Sequence, residues 1–164
     1  MDRSGLEYAI VNQFSLTYEL VGTGWARATL TVDGADTIVT ASYISDALRD
    51  LIDATSVMTE GGPTARCAWQ EEPGEYRWIF TVEQTGVRLE IRSFPDMFDT
   101  AEDASGEIVF TTTQPLRTIS RSILRAVDAV AGKFTPEAYL ERWVEHPFPT
   151  EAANRLRNAY QRLT

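Results

Sequence analysis

Apolar and polar residues alternate along much of two long stretches of this chain, and this alternation limits its fold more than any other feature. The stretches are residues 14–44 and 75–92. A period of two is typical of a strand with one face buried. The clearest example is the set Tyr76, Trp78, Phe80 and Val82. Glycine-containing turns, such as Asp33-Gly34, divide both stretches, so we expect antiparallel strands joined by hairpins.

Helical spacing of apolar residues appears between these stretches and again after them. One helix is predicted after Ser45, whose hydroxyl can cap it. Three more are predicted after Pro115, Thr135 and Thr150. Strands followed by helices predict a single α+β domain over residues 1–164. Its antiparallel sheet is expected to have about six to seven strands, with one inserted helix and three C-terminal helices packed on one face.

Charge is unevenly distributed along the chain, whose net charge is −9. Residues 1–107 carry 19 acidic and 7 basic side chains, a net charge of −12, and residues 108–164 carry 5 and 8, a net charge of +3. The chain lacks the basic groove that displaces counterions from phosphates, which argues against nucleic-acid binding. Without a signal peptide or a long apolar segment, and with one cysteine, we expect a cytoplasmic protein with no membrane partner.

The single histidine and single cysteine restrict the chemistry that is available. A histidine-dependent triad needs a nucleophile and an orienting acid near His146, and a structural zinc site needs four Cys or His ligands. We expect His146 to be a turn residue and Cys67 a core residue. We therefore predict no catalytic residue, no cofactor and no metal site. Two alternatives stay open: hydrolysis by the carboxylates near residue 72, and a divalent cation in the acidic loop.

Two acidic segments are the strongest candidates for binding a partner. The loop predicted over residues 95–107 has five acids and no basic residue, and a second group surrounds the Pro73-Gly74 turn. Trp25 is predicted to point to the solvated face of its strand, where it could anchor an interface. The predicted partner-binding residues are Asp96, Asp99, Glu102, Asp103 and Glu107, then Glu71, Glu72 and Glu75, with Trp25.

A basic ridge is predicted on the helix after Pro115. Arg117, Arg121 and Arg125 are spaced four residues apart, off the apolar stripe. They either form an exposed face paired with acidic neighbours or contact an anion or a partner.

Three segments resemble those of a group of small bacterial, mostly actinobacterial, α+β proteins. The shared patterns are GxGWA at residues 22–26, SYxSDAL at residues 42–48 and EEPGEYRW at residues 71–78. The resemblance covers roughly residues 14–95 and implies no activity. In size, acidity and low cysteine content the chain is also similar to many immunity proteins of bacterial toxin systems.

These observations favour a non-enzymatic, acidic protein-binding domain, in its most concrete form an immunity or antitoxin-like protein that neutralises a basic partner such as a toxin. The alternative is a small-molecule-binding or hydrolytic domain with a pocket between sheet and helices, lined by Tyr43, Trp78, Tyr139 and Trp143. A third hypothesis is a homo-oligomer joined through a sheet edge.

Overall fold

The fold is given by a computed structural model that describes residues 13–163. Residues 1–12, where the sequence predicts no signal peptide, and residue 164 lie outside the described part. The described residues form seven strands and four α-helices. The strands are β1 Phe14–Val21, β2 Trp25–Val32, β3 Ala35–Ser42, β4 Thr64–Gln70, β5 Glu75–Glu83, β6 Gly86–Phe94 and β7 Glu107–Gln114. The helices are α1 Ala47–Thr59, α2 Leu116–Lys133, α3 Pro136–Trp143 and α4 Thr150–Gln161.

The strands form two antiparallel sheets, so the α+β class and the order of elements are confirmed but the expected single sheet is wrong. The first sheet has the order β1-β2-β3 and the second β4-β5-β6-β7. All neighbours within each sheet are antiparallel and consecutive in sequence, as the hairpin pattern predicts.

No backbone ladder joins β3 to β4. Hydrogen bonds that involve side chains connect the two sheets there instead. The hydroxyl of Thr40 donates to the Glu71 carboxylate at 3.1 Å, and the N–H of Gln70 donates to Ser45 Oγ at 2.5 Å. Ser45 therefore holds β4 and does not cap α1, which has Asp46 at its N-cap position. Periodicity cannot distinguish a ladder from such side-chain contacts, because both leave the alternation of each strand unchanged.

The core lies between the inner faces of the two sheets and the helices. Trp69, Trp78 and Phe80 fill it from the second sheet, and all three are fully buried. Trp69 also contacts Tyr18 of the first sheet edge-on, with ring centroids 5.9 Å apart. Its indole N–H donates to the carbonyl of Ala47 in α1 at 3.0 Å. One side chain thus joins both sheets and a helix. None of the helices in the described part of the chain is long and apolar enough to cross a bilayer.

The outer face of the second sheet is only partly open to solvent. The segment between β6 and β7, residues 95–106, folds back across it and includes a short 3-10 helix at Asp103–Ser105. Arginines on three neighbouring strands contact this segment. The sequence predicts this segment as an acidic loop, and these contacts determine where it lies.

Candidate functional site

Three arginines hold the 95–106 loop against the sheet. Arg66 of β4 binds the Asp103 carboxylate through two nitrogens, at 3.0 and 2.9 Å. Arg77 of β5 donates to the Asp103 carboxylate at 2.9 Å, and Arg92 of β6 donates to the carbonyl of Gly106 at 2.8 Å. Arg77 pairs with Arg92 in the strand register. The loop therefore spans three strands, and a rigid scaffold determines its path.

Arg77 is the centre of this arrangement, and its side chain is only 4% exposed. It donates to the carbonyls of Asp99 and Ala101, both at 2.6 Å, in addition to the Asp103 carboxylate. Its guanidinium lies 3.7 Å from the centre of the Phe94 ring. A buried guanidinium is tolerated when its donors are satisfied and a carboxylate balances its charge. Backbone carbonyls of the loop accept many of the hydrogen bonds that this guanidinium donates.

Two buried side chains fix the apex of the loop. The N–H of Phe98 donates to Gln70 Oε1 at 2.9 Å, and the N–H of Asp99 donates to Glu75 Oε1 at 2.7 Å. Gln70 Nε2 in turn donates to Glu75 Oε2 at 3.3 Å. Glu75 is 3% exposed and lies 3.5 Å from Arg77. Consecutive backbone groups of the apex are thus bonded to the sheet, which fixes their orientation.

The electrostatics of Asp103 agree with this geometry. Burial by itself would raise the pKa of Asp103, but the hydrogen bonds from Arg66 and Arg77 outweigh burial and hold the pKa below its ordinary value. The carboxylate is therefore ionised at neutral pH and remains a strong acceptor for both guanidinium groups.

The second acidic segment, the turn between β4 and β5, lies beside the start of this loop. A Cβ added to Gly74 would lie 2.3 Å from the Phe94 carbonyl oxygen and 3.4 Å from that of Pro95. This close approach requires glycine and brings two segments together that are more than 20 residues apart in sequence. We call residues 71–74 and 95–107 together the acidic cap.

The structure divides the predicted acidic residues into two groups. Four are used within the protein: Glu75 and Asp103 bind arginines, Asp99 accepts from the N–H of Ala101, and Glu71 accepts from Thr40. Glu75 is buried and offers no exposed carboxylate to a partner. The remaining four are exposed, and their carboxylates have no ion-pair or hydrogen-bond partner among the described residues. These are Glu72, Asp96, Glu102 and Glu107.

Phe98 is the residue of this surface that the sequence analysis missed. Its side chain is 68% exposed, the largest exposed fraction among the large apolar residues described. Its backbone has a positive φ of 51°, a conformation that is unfavourable for a bulky residue. The sequence contains one sign that Phe98 is exposed. It is a lone aromatic residue inside an acidic loop, without a run of apolar residues at strand or helix spacing, and so does not match the pattern of a core residue.

Trp25 lies on the outer face of the first sheet, as predicted, and is 41% exposed. It pairs with Val21 on β1 and with Ser42 on β3. Two residues before Ser42, Thr40 contacts Glu71 of the acidic cap. Trp25 is therefore connected to the cap through β3, and no hydrogen bond or ring contact joins its own side chain to the cap among the described residues.

The arginine ridge lies on α2, which packs against β1 and α1 rather than against the acidic cap. Arg117 donates to the carbonyl of Leu163 at 2.6 Å and lies over the Tyr160 ring. Arg121 and Arg125 are exposed and have no acidic partner in the described part of the chain. The three arginines thus divide into one structural residue and two free cations.

His146 and Cys67 occupy different surroundings. The His146 ring bonds the Tyr43 carbonyl at 3.1 Å through Nε2 and lies 3.8 Å from Asp46 through Nδ1. Asp46 borders a cleft of about 360 Å³ between α1 and the start of α4.

Cys67 is buried in β4, and burial raises the pKa of its thiol well above the ordinary value. An unreactive thiol is the consequence.

The aromatic residues predicted to line a small-molecule pocket are not arranged as the walls of one open cleft. Trp78, Tyr139 and Trp143 are fully buried, whereas Tyr43 is 37% exposed. Among residues 13–163 no group of three or more His, Cys, Asp or Glu side chains is placed to hold a metal ion.

Comparison with known proteins gives no relative. No protein-family model, curated protein or solved structure matches the chain.

Proposed function

We propose that this chain is a non-enzymatic protein-binding domain that captures a basic partner through the acidic cap. The observation that carries the proposal is Phe98, an exposed aromatic ring on a loop that buried polar groups hold in one conformation. A left-handed backbone costs a bulky residue about 1–2 kcal/mol. Folding gains nothing from placing an apolar ring in water at that cost, whereas an interface gains an anchor.

The charges around Phe98 favour a basic partner. Glu72, Asp96, Glu102 and Glu107 supply carboxylates that form no ion pair with a cation of residues 13–163. Unpaired charges at the rim of an interface speed association and select the partner, while a central aromatic residue slows dissociation. A loop already held in its binding conformation loses little entropy when the partner binds.

The test uses two variants of the cap and one matched control. Phe98→Ser removes the anchor, and the fourfold variant E72Q/D96N/E102Q/E107Q removes the free carboxylates. The control E137Q/E141Q/E145Q/E151Q makes the same change in net charge at exposed positions in and around α3 and α4. Affinity purification from native lysate should recover a basic protein with the wild-type chain and the control, and lose it with both cap variants.

Kinetics separate the two roles. We expect Phe98→Ser to raise the dissociation rate by about tenfold or more, and the fourfold cap variant to lower the association rate and its salt dependence. Equal loss of the partner in the control variant would mean that net charge alone drives capture, and it would refute the role of the cap.

An immunity or antitoxin-like protein is the most concrete form of this proposal. It is supported by the acidity, small size and low cysteine content of the chain, and by the cap described above. A gene for a basic toxin next to the gene for this chain would support that form. Rescue of cells that express such a toxin, lost on Phe98→Ser, would test it directly.

A further inference from the structure

A second surface of opposite charge lies between the edge strand β1 and helix α2. The groove there has a volume of about 460 Å³. Five consecutive residues of β1, Leu16–Leu20, line it. Leu16, Tyr18 and Leu20 point to the buried face, while Thr17 and Glu19 point to solvent. A groove that is lined by both faces of one strand must run along the edge of that strand.

The edge of β1 can pair with another strand. The sheet order β1-β2-β3 leaves β1 with a neighbour on one side only among the described residues. Backbone N–H and C=O groups on the open side are a template for an added strand. Neither proline nor a bulge interrupts the β1 ladder, so the template is regular over eight residues.

The opposite wall of the groove selects what can bind. Arg125, Ala129 and Lys133 are exposed and lie four residues apart on α2, so they form one stripe about 12 Å long. Neither cation has an acidic partner in the described part of the chain. Glu19, the only acid among the described residues that line the groove, is already paired with Arg27 at 3.0 Å. Behind the stripe lie Val130 and Phe134, which give the groove an apolar floor.

We propose that this groove binds an extended acidic segment of another protein, which adds to β1 as a fourth strand. Alternate residues of a strand share one face, and positions i and i+4 are about 13 Å apart. That spacing matches the stripe. The segment therefore has the form acid–x–apolar–x–acid, with its carboxylates at Arg125 and Lys133 and its central apolar side chain over Ala129.

A second copy of this chain fits the groove less well than a single segment. Its β1 edge carries its own α2 alongside, because α2 packs against β1. Two such edges meet only if the helices move apart. Its β1 also offers a single carboxylate, Glu19, where the stripe presents two cations. The proposal is independent of the acidic cap, which lies on other elements.

The test measures binding of short fluorescent peptides to the full chain. The probe has Glu-Thr-Val-Thr-Glu at its centre; the comparison peptides are Lys-Thr-Val-Thr-Lys and the glutamate peptide N-methylated at valine and at the threonine after it, so that one of the two methyl groups faces β1 in either strand orientation. We expect the glutamate peptide alone to bind. N-methylation should weaken it by about tenfold, since it removes one backbone donor to β1 and blocks the strand. Amide exchange of edge-facing groups in β1 should slow when the peptide binds.

Charge-reversal variants locate the site. R125E/K133E should weaken the glutamate peptide by about tenfold or more, whereas the control Arg121→Glu, one turn before Arg125 and outside the groove, should change it by about twofold at most. Equal weakening by the control, or binding that N-methylation leaves unchanged, would overturn the proposal. So would a dimer in light scattering that R125E/K133E dissociates, or edge amides of β1 that are already protected without peptide, because the chain itself would then fill the groove.

Discussion

Arg77 shows how one buried charge can determine the position of a distant loop. Its donors reach two carbonyls and one carboxylate of residues 99–103, and it also lies beside the buried Glu75 and the Phe94 ring. In the strand pattern Arg77 occupies a polar position and is indistinguishable from a solvated residue. Its role depends on a segment more than 20 residues later in the chain, and no local pattern contains that information.

Replacing Arg77 with methionine should destabilise the protein by about 3–5 kcal/mol, because Glu75 would remain buried without its cation. The double variant E75Q/R77M should recover a large part of this loss, since it removes both charges. Urea unfolding of the single and double variants measures the coupling. A loss below about 1 kcal/mol for R77M would show that the pair is hydrated and does not anchor the loop.

Asp50 makes stability depend on pH in the acidic range. Burial, followed by repulsion from Asp46 and Asp53, raises the pKa of Asp50 to about 6. The folded protein therefore holds a proton that the unfolded chain releases, so stability falls as pH rises from about 4 to about 6. Asp50→Asn should raise the free energy of unfolding at pH 7 by about 1 kcal/mol and leave it unchanged near pH 4. The value at pH 7 is smaller than the pKa shift alone would give, because Asp50 is partly exposed.

Thermal unfolding at several pH values measures this effect. Asp96→Asn, which removes one exposed carboxylate without a partner, is the matched control and should leave the profile unchanged. If Asp50→Asn gives the same gain at pH 4 as at pH 7, proton binding is not its cause.

At the scale of elements, the sequence predicts most of the structure and misses the contacts between elements. The order of seven strands and four helices is correct, because alternation and helical spacing are local properties. The start of α1 differs by one residue, because Asp46 is at its N-cap position and Ser45 instead accepts from the N–H of Gln70. The acidic loop was predicted, but its arginine anchors and Phe98 were not, since they depend on which strands become neighbours.

Turn geometry gives a prediction about two hairpin glycines. Gly34 has φ +83° and no atom within 4 Å of an added Cβ, whereas Gly86 has φ +152° and its Cβ would lie 2.5 Å from the Gln114 carbonyl oxygen. Gly34→Ala should cost about 1 kcal/mol from backbone strain alone. Gly86→Ala should cost more than about 2 kcal/mol, because β7 must also shift. Chemical denaturation of both variants compares them, and equal costs would show that the Gln114 contact relaxes freely.

At the scale of the whole molecule, no backbone ladder joins the two sheets. We expect them to unfold as one cooperative unit if their core contacts couple them. Trp69 is the side chain that tests this, because it contacts Tyr18 of the first sheet, Trp78 of its own sheet and the carbonyl of Ala47 in α1. It is fully buried, so any smaller residue leaves a cavity and loses the indole hydrogen bond to α1. Loss of this side chain should therefore destabilise both sheets, on either side of the gap between β3 and β4.

Trp69→Phe should lower the free energy of unfolding by about 2–4 kcal/mol, whereas Trp25→Phe, at an exposed position, should lower it by less than about 0.5 kcal/mol. Native-state amide exchange gives the sharper result. If the sheets unfold as one cooperative unit, slow amides of β2 and of β5 lose protection by the same amount in the Trp69 variant. Loss confined to β4–β7 would mean that the first sheet is stable without the second, and that the indole joins two independent units.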